Sequence, residues 1–249
     1  MNVLLVTTDQ QRADTIGAYG SRIGATPHLD RLAAEGVRFD LCRTQNPYCQ
    51  PSRATILTGR YPSSHGVHSN GVDFPQDEVG TGLSAMLAAR GWTTAFRGKM
   101  HFASTFPRTP TGALESLEGS AMVPEGWRGP YMGFQDVDLV LFGHHIGIGG
   151  GMPEHWGPPP RGLHYARWLF RDGLEAGMRR LRLMSIEAAL RPSPAPETWA
   201  SALPEEDHPT TRRRSDGRVP ARGRPHAAVV LLDVVHRPAP PDGPTGPLV

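Results

Sequence analysis

Only two cysteines, Cys42 and Cys49, occur in 249 residues. So few, placed so close together, exclude the disulfide framework that holds small secreted domains, and they favour a reducing compartment. Strong charge is lacking too. The 26 basic and 24 acidic residues leave a formal net charge of +2, too mild to demand a nucleic acid or a membrane surface as partner, though it permits an anionic substrate. No stretch reaches the roughly 18 consecutive apolar residues that a membrane span needs. The opening Met1-Asn2-Val3-Leu4-Leu5-Val6 has neither the cationic lead nor the small-residue cleavage site of a signal peptide. The expectation is a cytoplasmic protein with no nucleic-acid partner and no membrane partner. Lysine is scarcer still: of the 26 basic residues 25 are arginine, and the single lysine is Lys99. Ammonium and guanidinium differ in shape and hydration, so one ammonium in an arginine-rich chain marks its position. Aromatics run out as well, with no Phe, Tyr or Trp after Trp199.

The apolar pattern that is present alternates between strands and helices. Asn2 to Thr8 reads as a buried parallel strand that delivers Asp9 and Gln10 at its carboxyl end. Thr26 and Pro27 then start a helix whose apolar face is Leu29, Leu32 and Ala33, stopped by Gly36. Val37 to Leu41 follows as a strand, and Cys42 at its end is expected in the core, where free cysteines usually lie. Pro51 to Leu57 begins a helix just after Cys49 and ends at Gly59, so residues near its start face unpaired N–H groups and the positive end of the helix dipole. Leu83 to Arg90 is another helix, and Trp92 to Phe96 a strand that delivers Gly98-Lys99-Met100-His101. Such alternation predicts a mostly parallel α/β sheet with helices on both faces.

Beyond Ala103 the pattern loosens. Val137 to Phe142 is weakly strand-like, Gly147 to Gly151 reads as loop, and Leu163 to Leu190 as one or two amphipathic helices. Residues 201–249 form an atypical Pro/Arg-rich tail of disordered composition, in which only the run Ala227 to Val235 is short and apolar enough for a strand.

In open α/β sheets ligands gather outside the carboxyl ends of the strands. Asp9 with Gln10, the loop Cys49 to Arg53, and Lys99 with His101 all fall there by this reading. An oxygen pair beside a helix start suits a hard cation such as Ca²⁺ or Mg²⁺, and Lys99 and His101 add charge and a proton donor for an anion. Taken singly, each has an ordinary alternative: Asp9 as a turn residue, Gln10 as a solvated amide, Arg53 as a surface arginine, His101 as a hydrogen-bonded loop histidine. His65, His68, His144 and His145 receive no role.

Three segments carry a resemblance. Cys49-Gln50-Pro51-Ser52-Arg53, continued by Ala54-Thr55-Ile56-Leu57-Thr58-Gly59, resembles the sulfatase signature, in which the cysteine of Cys-x-Pro-x-Arg is oxidised to formylglycine. Gly91 to His101 is similar to the second signature of that family, with Trp92 and Arg97 departing from its commoner residues. Thr8 to Asp14, followed by Thr26 to Ala33, is similar to the amino end of bacterial members. The resemblance implies an alkaline-phosphatase-like α/β fold over residues 1–200 and a hydrolase acting on a small sulfate ester. It further implies that Cys49 is matured by a formylglycine-generating enzyme, and that Asp9, Gln10 and modified residue 49 bind Ca²⁺ or Mg²⁺. Arg53 would orient the aldehyde hydrate, and Lys99 and His101 would hold the sulfate and assist the leaving alcohol.

The departures have implications of their own. Asp9-Gln10 stands where many relatives have two aspartates, and related enzymes with Asp-Gln hydrolyse phosphonate or phosphate esters. Members of the family run to several hundred residues and take further metal ligands from downstream, whereas Asp207-His208 precedes Pro209 and is not assigned. The expectation is a catalytic domain truncated on its carboxyl side, with a reading-frame shift near Thr210 to Arg214; a natural, functional basic tail is the alternative. A third possibility is a non-catalytic fragment that binds an anion.

Overall fold

The computed structural model describes residues 2–9, 11–22, 26–105, 107, 111–141, 163–180 and 228–234. Four strands form one parallel sheet: β1 Val3–Thr8, β2 Thr93–Lys99, β3 Asp136–Val140 and β4 Ala228–Val234, in the order β1-β4-β2-β3. The apolar run in the carboxyl-terminal stretch is therefore a strand, and an interior one. It pairs Val3 with Val229 through Thr8 with Val234 on one side, and Thr93 with Ala228 through Arg97 with Leu232 on the other. Because all four strands run the same way, their carboxyl ends share one edge, and Asp9 and Lys99 meet there.

The helices are α1 Pro27–Glu35, α2 Cys49–Thr58, α3 Pro62–His65, α4 Leu83–Ala88, α5 Leu117–Ala121 and α6 His164–Leu169, with a further helical stretch over 174–180. Among the described residues no helix is long and apolar enough to cross a membrane. α4 packs on β2 and α6 on β3. His164 stitches α6 to the sheet: its Nδ1 accepts the Leu139 N–H at 3.0 Å, which leaves Nε2 to donate to the Trp127 carbonyl at 2.7 Å. The core lies on this side of the molecule, where Phe96, Val137 and Leu139 pack with Phe74, Met100 and Phe102. Asp136 bridges two strands at the rim. Partial burial opposes its charge, but hydrogen bonds from Arg128 and Arg97 hold its carboxyl below the usual range.

Several elements differ from the sequence expectation. Val37 to Leu41 is not a strand; Val37, Phe39 and Leu41 alternate correctly but are 80%, 71% and 80% exposed, and among the described residues no backbone pairs with them. Cys42 is accordingly exposed rather than in the core. α1 forms where Thr26 and Pro27 place it, yet no residue of it is buried, Leu29 and Leu32 included. Thr26 does not cap it through its side chain; its hydroxyl donates to Asp30 at 2.9 Å and accepts the Gly17 N–H at 2.8 Å. β2 runs past Phe96 to Lys99, since β3 and β4 supply partners along it. Gln10, His144, His145, the stretch Gly147 to Gly151, positions 181–190 of the expected helices and Asp207-His208 lie outside the described residues.

Candidate active site

Cys49 is the first residue of α2, one turn before Arg53, so the helix begins at the cysteine rather than after it. Tyr48, in an extended conformation, precedes it, and its N–H donates to the Asn46 side chain at 2.8 Å. Pro51 at the third position costs no hydrogen bond, because N–H groups of the first turn have no partner within a helix. Gly59 closes the helix in the left-handed region, φ 68°, with its N–H on the Thr55 carbonyl at 2.8 Å. The helix start is held from the side by Gln50. Its backbone N–H donates to Asn70 Oδ1 at 3.0 Å, its Nε2 to the Val72 carbonyl at 3.2 Å, and its Oε1 accepts the Gly71 N–H. Buried His65 ties the other side. Its Nδ1 accepts the Val67 N–H at 3.2 Å, so Nε2 carries the hydrogen and donates to Thr55 Oγ1 at 3.1 Å. Burial lowers its pKa, and the ring is a neutral strut.

Lys99 stands at the centre. Only 4% exposed, it ends β2 and extends Nζ to within 2.8 Å of Asp9 Oδ2 and 3.5 Å of Cys49 Sγ. Three segments separated by 40 residues or more in the chain thus converge on one ammonium group. Arg53 joins from α2, its guanidinium donating to the Lys99 carbonyl, which locks helix to strand end. His101 follows two residues later, 2% exposed and in a left-handed conformation with φ 57°. Burial first, then the positive charges of Lys99 and Arg53, depress its pKa to about 3 against the opposing pull of Asp9. At neutral pH the imidazole is uncharged. It can donate one ring N–H but carries no spare proton.

Glu115 was missed by the sequence reading. It has no motif, and an acidic residue between Leu114 and Ser116 in an irregular stretch carries no spacing signal. Completely enclosed, it accepts the backbone N–H groups of His101 at 2.5 Å, Phe102 at 2.6 Å and Ala103 at 3.0 Å. Burial raises its pKa to about 7, while the three amides and the charge of Arg53 resist a larger rise.

Comparison with known proteins follows the same segments. The sulfatase family model matches residues 1–113. The similarity to sulfatases is thus confined to the amino-terminal part of this chain. That part is 38% identical over 100 residues to the ulvan-active sulfatase of Formosa agariphila, covering 40% of this chain and 19% of that protein. It is 39% identical over 111 residues to the steryl-sulfatase of Mus musculus, covering 40% of this chain and 18% of that one. The match thus spans about a fifth of the length of these curated sulfatases. The fold is similar to that of the phosphonate monoester hydrolase of Silicibacter pomeroyi, with a TM-score of 0.56 at 21% identity, the match covering 94% of this chain and 41% of that one. This is the alkaline-phosphatase-like α/β arrangement.

The donors of this amino-terminal segment fit a hard cation in type. Asp9 offers carboxylate oxygens, and Cys49 Sγ lies within reach of the same ammonium group. In number they are a partial set: among the described residues no group of three or more His, Cys, Asp or Glu is arranged to hold a metal, whereas Ca²⁺ takes six to eight oxygens. Asp9 instead neutralises Lys99.

Proposed function

We propose that the chain carries the nucleophile and anion-binding half of a sulfuric ester hydrolase. The observation that supports this most is the Lys99 ammonium lying between the Asp9 carboxylate and Cys49 Sγ, at the carboxyl edge of a parallel sheet. A tetrahedral sulfate monoanion placed there meets a compact, strongly hydrated point charge, which suits three equivalent oxygens better than a planar guanidinium. The start of α2 adds its dipole to the same side. Cys49, once oxidised to formylglycine by a maturation enzyme, presents a hydrate oxygen that attacks sulfur, a covalent route that a thiol does not offer.

Arg53 positions residue 49 and Lys99 relative to each other through its bond to the Lys99 carbonyl. His101, uncharged, offers its one ring N–H as a hydrogen bond to the sulfate held by Lys99, without transferring a proton. Asp9, Gln10 and the oxygen of residue 49 would hold Ca²⁺ or Mg²⁺, and such an ion supplies Lewis-acid polarisation of the sulfate.

The test has two parts. After co-expression with a formylglycine-generating enzyme, peptide mass spectrometry should show Cys49 converted; persistent free thiol would count against the reading. The converted protein should then cleave 4-nitrophenyl sulfate faster than a phenyl phosphonate monoester, with the rate dependent on added Ca²⁺ or Mg²⁺. Faster phosphonate cleavage would assign the site to phosphonate or phosphate esters, and conversion without any turnover would leave an anion-binding fragment.

A further inference from the structure

The chain has one lysine and two cysteines, and the fold sets that lysine against one of the cysteines. Lys99 Nζ lies 3.5 Å from Cys49 Sγ and 2.8 Å from Asp9 Oδ2. The contact is held from several sides. Arg53, one turn along α2, donates to the Lys99 carbonyl, and Gln50 fastens the start of α2 to Asn70, Gly71 and Val72. Lys99 is 4% exposed, so its side chain has no open solvent in which to turn away. Cys49 is only partly buried. A partly exposed thiol at a helix start, with a cation beside it, stands in the surroundings where cysteines react with oxidants. Cys42 is the more exposed of the two but lies outside any helix or strand.

We propose that unconverted Cys49 and Lys99 are a redox pair, which a peroxide joins through a reversible covalent bond between Sγ and Nζ. In the first step Sγ–H loses two electrons to hydrogen peroxide: the O–O bond breaks, Sγ–OH forms and water leaves. Nζ then passes one proton to Asp9 Oδ2 and attacks sulfur with the electron pair this frees. As the N–S bond forms the S–O bond breaks, and the departing hydroxide takes a second proton from nitrogen to leave as water. The third proton stays on nitrogen, so the product is a sulfenamide, which two equivalents of a thiol reductant cleave back to cysteine and lysine. Sulfenic acids condense with backbone nitrogen in the same way; here a side-chain amine already in contact has the advantage of proximity. The link ties the start of α2 to the end of β2, and it withdraws both the thiol and the ammonium charge from the site. It concerns the thiol before conversion, and so stands apart from the ester hydrolysis proposed above.

The experiment treats the full, unconverted chain with dilute hydrogen peroxide, blocks the remaining thiols, and digests the protein with trypsin without reductant. Mass spectrometry should find the peptide of Cys49 joined to that of Lys99, lighter than their sum by two hydrogens, with cleavage after Lys99 lost. Dithiothreitol should restore both peptides. Unfolding the chain in urea before oxidation should lower the yield about 10²-fold, since the proximity is then gone. In Lys99→Met the sulfenic acid has no amine to meet, and dimedone should label Cys49 at least about 10-fold more than in wild type. Asp9→Asn keeps the amine but removes the proton acceptor, and should slow linkage about 10-fold, which provides a reading if the methionine variant does not fold. A disulfide with Cys42, sulfinic acid at Cys49 of the wild type, an unreacted Cys49 thiol, or equal linkage in urea would each overturn the proposal.

Discussion

β1 and β2 lie in one sheet, yet they live in different environments. β1, Val-Leu-Leu-Val-Thr-Thr, is the more apolar of the two, and five of its six residues are exposed, Leu4 at 61%. β2, Thr-Thr-Ala-Phe-Arg-Gly-Lys, contains two cations and is almost wholly buried. The difference follows from neighbours rather than hydrophobicity. β2 is flanked by β4 and β3 and covered by α4, whereas β1, among the described residues, pairs on one side only. An apolar hollow of about 450 Å³ lies at their junction, lined by Val3 and Leu5 from β1 and by Leu57, Leu87, Trp92 and Phe96 from the packed side. The candidate site straddles this seam, with Asp9 from the loosely packed strand and Lys99, Arg53 and His101 from the packed body. A hydrophobic run states what a strand can bury, and its position in the sheet decides what it does bury.

The sharpest cut through that contrast is at Lys99, where both regions meet. Lys99→Met should reduce sulfate-ester turnover about 10³-fold in kcat, as removal of a preorganised charge-stabilising donor does. Lys99→Arg should not restore it, since a planar fork replaces a point charge; full activity in the arginine variant would break the account. Within the packed body, Phe96→Ala should cost about 3 to 5 kcal/mol in urea unfolding, the range for deleting a buried aromatic side chain.

The site imposes two opposed pH limbs on stability. His101 has a folded pKa of about 3, below its ordinary 6.5, so its contribution is complete above 6.5 and is lost as pH falls toward 3. Glu115 has a folded pKa of about 7, above its ordinary 4.5, so its contribution is complete below 4.5 and is lost as pH rises through 7. His101→Asn should therefore flatten the acid limb of the urea midpoint, and Glu115→Gln the neutral one. Smallest of all, Leu4→Asn in β1 should change stability by no more than about 0.5 kcal/mol. A loss as large as that of Phe96→Ala would show that β1 is packed in solution, and would erase the contrast.

Much of the site was legible before any coordinates, and particular residues show why. Cys49 and Arg53 sit one helical turn apart within a contiguous motif, and Lys99 and His101 within another, so short-range order carries their chemistry. The parallel sheet was legible from alternating runs, and the strand at Ala228–Val234 from its apolar content. Other features failed to show for the same physical reason in reverse. Val37, Phe39 and Leu41 alternate like a strand, but pairing needs a partner backbone that alternation cannot supply. Cys42 is exposed because that partner is missing. Glu115 carries no periodicity, and its meaning comes from amides 12 to 14 residues away.

Residue order along the chain thus settled which groups are available: one lysine, a cysteine ahead of Pro and Arg, a carboxylate after the first strand. Their meeting was settled by parallel pairing, which aligns strand ends that are 90 residues apart and brings Lys99 to Asp9 and Cys49. Local pattern sets side-chain chemistry and backbone preference over a few residues. Burial, charge pairing and the conformation of His101 depend on contacts between distant segments, and those exist only once the sheet has formed.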